Sequence, residues 1–341
     1  MNKRFQAALK REPQAIPPIW LMRQAGRYHA HYQALRKKHG FVELCKIPEL
    51  AAETTMGPIR DFDFDAAILF SDLLFPLEAM GMGLKYDPAP QLDFQLSPET
   101  FSRLRGGDEA KAMLDFQGEA VKACREALPK DKSLIGFVGG PWTLFVYAVE
   151  GSHKGSLTQS KRMLRSHFLS FCEILMPLLK HTIQRQLDGG AEVVMIFDTA
   201  AGELSPWDFD FYVAPQFTPL TTWFPGKLGY YGKGVTNSHY KSALGSQPRP
   251  FAGLGVDHRF EISELLPNHK QGFLQGNFDQ SSLHLDSNDF ETALNDYLGP
   301  IRDLSPEQRA GWVAGLGHGV LPLTPEANVK RYVEIIRKTF G

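Results

Sequence analysis

Two arginines four residues apart, Arg23 and Arg27, bracket Gly26 just where an apolar run, Ile16-Pro17-Pro18-Ile19-Trp20-Leu21, gives way to polar sequence. A guanidinium stays charged and meets a carboxylate through a planar fork. Two of them at one strand exit suit a ligand that carries several carboxylates. The alternative is an arginine-rich helix start that pairs with surface acids, and the spacing alone leaves both readings open. Asp72 closes a second apolar run, Ala66-Ala67-Ile68-Leu69-Phe70-Ser71. A carboxylate there either caps the next helix or sits at the mouth of a cleft and stabilises a cation. At about 4 Å and an effective dielectric of about 20 that attraction is roughly 4 kcal/mol. Felt only in the transition state, it is worth roughly a thousandfold in rate. His318 stands between Gly317 and Gly319 after a third apolar run. Glycines on both sides let a ligand approach the backbone and leave the imidazole unobstructed. Tyr147, in an aromatic segment, and Thr199, after another apolar run, are further hydroxyl candidates, against the plainer roles of core tyrosine and helix cap.

Other chemistries lack their residues. There is no G-x-S-x-G elbow, no P-loop and no G-x-G-x-x-G after a strand. Cys45, Cys124 and Cys172 have no metal-type spacing, and the site is expected to hold no metal. His29 and His31 could share a face on a strand, but they lack further ligands nearby. Asp61, Asp63 and Asp65 alternate with Phe62 and Phe64 and read as a polar edge leading into a strand, not as a calcium loop.

These residues need elements that bring them to one place. Short apolar runs recur, each followed by a segment of helical periodicity: Pro18–Leu21, Ala66–Phe70, Leu134–Val138, Glu192–Phe197, Lys227–Tyr231, Phe251–Val256, Gly272–Gln275 and Trp312–Leu316. Near-continuous apolar runs are what strands buried on both faces look like. Helix signals are clearest over Ser160–Leu179 and Pro325–Phe340. Eight such alternations predict a fold of the α/β class, a (β/α)8 TIM barrel forming a single domain over residues 1–341. A barrel carries its chemistry on the loops after its strands. Those exits hold Arg23 and Arg27, Asp72, Tyr147, Asp198 and Thr199, Lys233, Asp257 and His258, Asn277 and Asp279, and His318. Net charge is −1 and the isoelectric point about 6.8, so no global basic field draws nucleic acid or an anionic membrane. Scarce cysteine, no run of 18 apolar residues and no apolar leader in Met1-Asn2-Lys3-Arg4-Phe5 point to the cytoplasm.

Five blocks carry a resemblance. They are Met22-Arg23-Gln24-Ala25-Gly26-Arg27-Tyr28, Asp65–Asp72, Gly140-Pro141-Trp142-Thr143-Leu144, Leu274-Gln275-Gly276-Asn277 and Leu316-Gly317-His318-Gly319. In order and content they resemble the uroporphyrinogen decarboxylase family of haem biosynthesis, over roughly Arg4 to Ile336. The resemblance implies a (β/α)8 barrel, a homodimer, a porphyrinogen bearing four acetates and four propionates as small-molecule substrate, and no cofactor. Each acetate becomes a methyl group. Protonating a pyrrole carbon makes the ring a cationic electron sink for the breaking C–C bond. By position, Asp72 is implied to contact the pyrrole N–H groups and stabilise the cation. Arg23 and Arg27 bind carboxylates, with Arg23 a candidate proton donor. Tyr147 and Thr199 contact the reacting side chain, His318 binds a carboxylate, Arg36 lies in the cleft, and Phe197 shapes its floor. The chain departs from the family at His29-Ala30-His31-Tyr32, Thr199-Ala200, Ser152-His153-Lys154-Gly155, His258 and Gly315. Two other readings follow from those departures and from the wider superfamily: a tetrapyrrole-binding paralog without turnover, and a corrinoid-linked methyltransferase.

Overall fold

The strands form where apolar, β-branched and aromatic residues run without polar interruption. In the computed structural model, which describes residues 1–87, 89–240 and 251–341, they are β1 (Ala66–Ile68), β2 (Lys85–Tyr86), β3 (Pro90–Gln91), β4 (Ser133–Gly139), β5 (Val193–Asp198), β6 (Leu228–Gly232), β7 (Phe251–Gly255), β8 (Phe273–Phe278) and β9 (Trp312–Leu316). Seven of them make one parallel sheet in the order β1-β4-β5-β6-β7-β8-β9. Almost every residue of these seven is buried, as helices on one side and the barrel interior on the other require. The antiparallel hairpin β2–β3 stands apart. Its strands of two residues each are too short to show a period in the sequence.

The expected first strand, Pro18–Leu21, is reduced to a single bridged residue, Ile19 opposite Ala314. Pro17 and Pro18 have no N–H to offer a ladder. The segment still closes the barrel. Ala314 N–H donates to Pro18 O at 2.9 Å and Trp20 N–H to Ala314 O at 3.3 Å. On its other side Asp65 N–H donates to Ile19 O at 2.9 Å, while Ile19 N–H donates to the Asp65 carboxylate at 2.9 Å. Inside the barrel, glycines make room for large rings. A Cβ on Gly253 would lie 2.3 Å from the Phe273 ring.

The helices outside include Pro48–Phe62, Phe116–Ala127, Thr158–Asp188, Ser287–Arg302 and Glu326–Phe340. The helix expected over Ser160–Leu179 runs further, to Asp188, because Thr182, Ile183 and Gln186 keep its inner face buried. At the strand entries the alternating acids are consumed by hydrogen bonds and ion pairs. Asp61 meets His29 at 2.7 Å, Asp63 meets Lys132 and Arg337, and Asp65 meets Arg4 at 3.1 Å. The polar-edge reading of that run therefore describes it. Among the described residues no helix is long and apolar enough to cross a membrane.

Candidate active site

The barrel brings Asp72, Tyr147 and His318 within electrostatic reach of Arg23. Arg23 has a left-handed backbone, φ 61°, at the sharp turn that follows the closing segment. Its aliphatic stem lies across Gly319. A Cβ on that glycine would fall 2.5 Å from Arg23 Cδ and 2.7 Å from its Cγ. The glycine after His318 therefore serves Arg23 as much as it serves the histidine. The charge of Arg23 reaches Asp72, Tyr147, His153, Tyr231 and His318, groups borne on five different segments. Neither Arg23 nor Arg27 has an ion pair among the described residues, and both are exposed. The surface-pairing alternative thus finds no acid to act on. Arg27 stands further out, within electrostatic reach of Tyr32.

Asp72 combines its two sequence readings. Its Oδ1 accepts the Leu74 N–H at 2.9 Å, two residues on, and so opens the short helical turn Phe75–Leu77. Burial pushes its carboxyl above the usual range, while the Leu74 N–H, the Tyr86 phenol and Arg23 oppose that rise. Tyr86 comes from the hairpin β2–β3, and burial together with the Asp72 charge pushes its phenol up. Tyr147 lies on the helix Pro141–Glu150, and its phenol is pushed up to about 12 by burial and by Asp72, against the pull of Arg23. Its hydroxyl is hydrogen-bonded to His153 Nδ1 at 2.5 Å.

His318 is nearly enclosed, and its ring stacks on Tyr231 with centroids 5.9 Å apart and 14° between planes. Tyr231 donates its hydroxyl to Gly317 O at 2.7 Å, and His318 Nδ1 lies 3.1 Å from the Tyr231 hydroxyl oxygen. A tyrosine has one proton to give. His318 Nδ1–H must then donate to the Tyr231 oxygen, which leaves Nε2 as the free nitrogen. Burial and the charges of Arg23 and Lys233 lower the His318 pKa to about 3, so the free protein holds it neutral. Phe197 at the end of β5 packs on Phe137 at 5.5 Å and edge-on to Tyr231 at 6.2 Å, an apolar floor. Thr199 is half-buried one residue beyond β5, and its hydroxyl makes no hydrogen bond among the described residues. Arg36 ends the helix Ala30–Arg36 and donates to His39 O at 2.6 Å, with Tyr32 and Cys45 in its electrostatic reach.

Two strand-end acids do other work. Asp198 is fully buried and accepts the Thr143 N–H at 3.0 Å and its hydroxyl at 2.5 Å, tying β5 to the helix Pro141–Glu150. Asp257 accepts the Gly234 N–H at 2.7 Å and pairs with Arg259. His29 and His31 turn away from the rim, to Asp61 and to Glu53 on the helix Pro48–Phe62. They anchor the arginine loop from behind. Three cleft groups had no place in the sequence-based set of site residues. Lys233, at the exit of β6, was legible as a rim residue, but its role needed the neighbours His153 and His318, whose charges it opposes. His153 and Tyr86 reach the cleft from a loop and a hairpin that no period announced.

The family model described as Uroporphyrinogen decarboxylase (URO-D) matches residues 1–339. A uroporphyrinogen decarboxylase of Myxococcus xanthus is 35% identical over 352 residues, spanning 99% of this chain and 97% of that protein. One from Solibacter usitatus is 32% identical over 355 residues, spanning 99% of this chain and 98% of that protein. Among solved structures, a methyltransferase from Methanosarcina mazei superposes with a TM-score of 0.75 at 19% identity, covering 100% of this chain and 99% of that one. At that identity the likeness speaks for the shared barrel.

Proposed function

This chain belongs to the uroporphyrinogen decarboxylase family, and on that premise we propose how its rim carries out the family's reaction. The protein removes CO2 from the four acetate side chains of uroporphyrinogen III, without a cofactor, and yields coproporphyrinogen III. The observation that carries this reading is the charge layout. Arg23 and Lys233, without acid partners among the described residues, crowd one rim with Arg27 outside them, and the carboxylate of Asp72 lies within reach of Arg23. The cations suit the substrate's carboxylates, and Asp72 suits the ring.

For each acetate, a proton adds to a pyrrole carbon and the ring becomes cationic. Asp72 accepts the pyrrole N–H groups and stabilises that cation. The C–C bond to the carboxylate breaks, its electron pair neutralises the ring, and CO2 leaves. A proton then adds to the exocyclic carbon while the ring carbon gives one up, so each turn consumes one proton. Arg23 and Arg27 hold carboxylates, with Arg36 further out. A guanidinium is a poor general acid, so a proton entering on the Arg23 side comes through water or a substrate acid that Arg23 holds. Tyr147 and Thr199 place hydroxyls beside the reacting side chain over the Phe197 floor. His318 is neutral in the free protein because it is buried and two cations face it. A polyanion that engages those cations removes their part of the cause and sets a carboxylate beside the ring, which favours a proton at Nε2 donated to that carboxylate.

The methyltransferase alternative requires metal-bound thiolates. Cys45, Cys124 and Cys172 are all buried, and burial pushes each thiol up, most directly against that chemistry at Cys45, where Asp72 adds to the effect. A cytoplasmic homodimer acting on a small molecule, apart from nucleic acid and membrane, completes the reading, and sedimentation velocity tests the dimer. The decisive experiment is anaerobic incubation of the purified protein with uroporphyrinogen and analysis of the products by chromatography. Stepwise loss of four carboxylates is expected. Tight porphyrinogen binding without CO2 release identifies a non-catalytic binder instead.

A further inference from the structure

The loop after the helix Pro141–Glu150 is built to hold one side chain against the cleft wall. Gly151, with φ 73°, reverses the chain, and its N–H donates to Tyr147 O at 2.9 Å. Glu150 fastens the loop's far end, accepting the Ser160 N–H at 2.9 Å and hydroxyl at 3.1 Å. Gln95 donates to Glu150 O at 3.2 Å from outside. Between these ties the tip, Lys154 to Ser156, is exposed, while His153 is drawn in, edge-on to the Tyr147 ring with centroids 5.3 Å apart and 62° between planes.

We propose that His153 is a positioning residue for Tyr147: its Nδ1 takes the phenolic hydrogen bond and so turns the oxygen's lone pairs toward the Asp72–Arg23 centre. The proposal rests on the reaction assigned above. The protonation states follow from the surroundings. Burial and Asp72 keep the phenol protonated, and burial with Lys233, Arg23 and Lys154 keeps the imidazole neutral. The short contact is then O–H to Nδ1, and the ring proton sits on Nε2. Tyr147 consequently meets the substrate as an acceptor. It joins Asp72 in receiving N–H groups and facing the ring cation, and it is not the group that delivers a proton to the substrate.

The test uses the whole protein and three variants. His153→Ala frees the hydroxyl and is expected to lower kcat roughly tenfold with KM within about twofold. His153→Asn, whose Oδ1 can accept the same bond, is expected to restore kcat to within about threefold of the parent. Wild-type kcat in His153→Ala overturns the proposal, and so does an equal loss in both variants. Independently of turnover, 15N-resolved imidazole spectra of the ligand-free protein should show His153 Nδ1 unprotonated and hydrogen-bonded, a signature lost in Tyr147→Phe. A protonated Nδ1 also overturns it. If the unmodified protein releases no CO2 while this signature is present, the assigned reaction fails and the Tyr147–His153 pair stands.

Discussion

Gly319→Ala is a small change placed where it should act on a single side chain. The new methyl would lie 2.5 Å from Arg23 Cδ, 2.7 Å from Cγ and 3.1 Å from Nε. Contacts below about 3 Å between carbon atoms are well inside the usual 3.5–4.0 Å optimum, so one partner must move. The partner that gives way is the Arg23 side chain, which is exposed and makes no ion pair among the described residues. Its backbone is already committed to φ 61°, so the stem swings aside and its guanidinium leaves the rim. A hydrogen bond to a charged group is worth about 1.5–3 kcal/mol, so losing the carboxylate that Arg23 holds lowers kcat/KM by about tenfold to about 150-fold. Stability should change by less than about 0.5 kcal/mol, because no packed core atom moves. The assay is initial-rate coproporphyrinogen formation under anaerobic, reducing conditions, with denaturant unfolding as control. Wild-type kcat/KM in a normally folded variant would refute the placement of Arg23. A large loss of stability would show that Gly319 matters to the fold and not to Arg23.

Asp72→Asn keeps the shape and removes the charge, so turnover should fall by roughly a thousandfold while substrate still binds; near-normal turnover counts against Asp72 as the cation's partner. Arg27→Ala, further out, should raise KM more than it lowers kcat, read from the same rates. Because His318 is held near 3 by burial and two cations, binding of the polyanionic substrate near pH 6 should take up protons, seen calorimetrically as an enthalpy that varies with buffer. Burial pushes the Asp198 carboxyl up to about 6 from an ordinary 3.8, so the folded state holds its proton more tightly. Its contribution is fully present below pH 3.8 and is lost, by about 3 kcal/mol, as pH rises to 6. Urea unfolding of the parent and of Asp198→Asn across that window should show the gap moving in the variant's favour by about that amount, and a constant gap would refute it.

The barrel was legible because its strands are buried on both faces and leave unbroken apolar runs in the chain. Six of the eight expected strands lie within a residue or two of their observed bounds, and a seventh, Gly272–Gln275, continues three residues further to Phe278. The eighth, Pro18–Leu21, was legible as a segment but not as a single bridge, since its pairing depends on Ala314 and Asp65, far away in sequence. The rim residues Arg23, Asp72, Tyr147, Thr199 and His318 could be named from their place after apolar runs. Residue type and local period are local properties, so the chain states them directly.

Which side chains face one another is not local, and only the tertiary structure decided it. Asp198 and Asp257 stand at strand exits, as Asp72 does in sequence, yet Asp198 turns in to bind Thr143 and Asp257 to bind Gly234 and Arg259. His29 and His31 sit beside the arginines in the chain and behind them in space. Lys233 and His153 enter the cleft from separate loops, and burial with the charges of Arg23 and Lys233 keeps His318 neutral. The opening pair of arginines was written in the sequence. That Arg23 rests on Gly319, faces Asp72 and has no acid partner among the described residues depends on two distant stretches of chain meeting at the barrel seam, a juxtaposition that burial and backbone pairing create and no short-range pattern encodes.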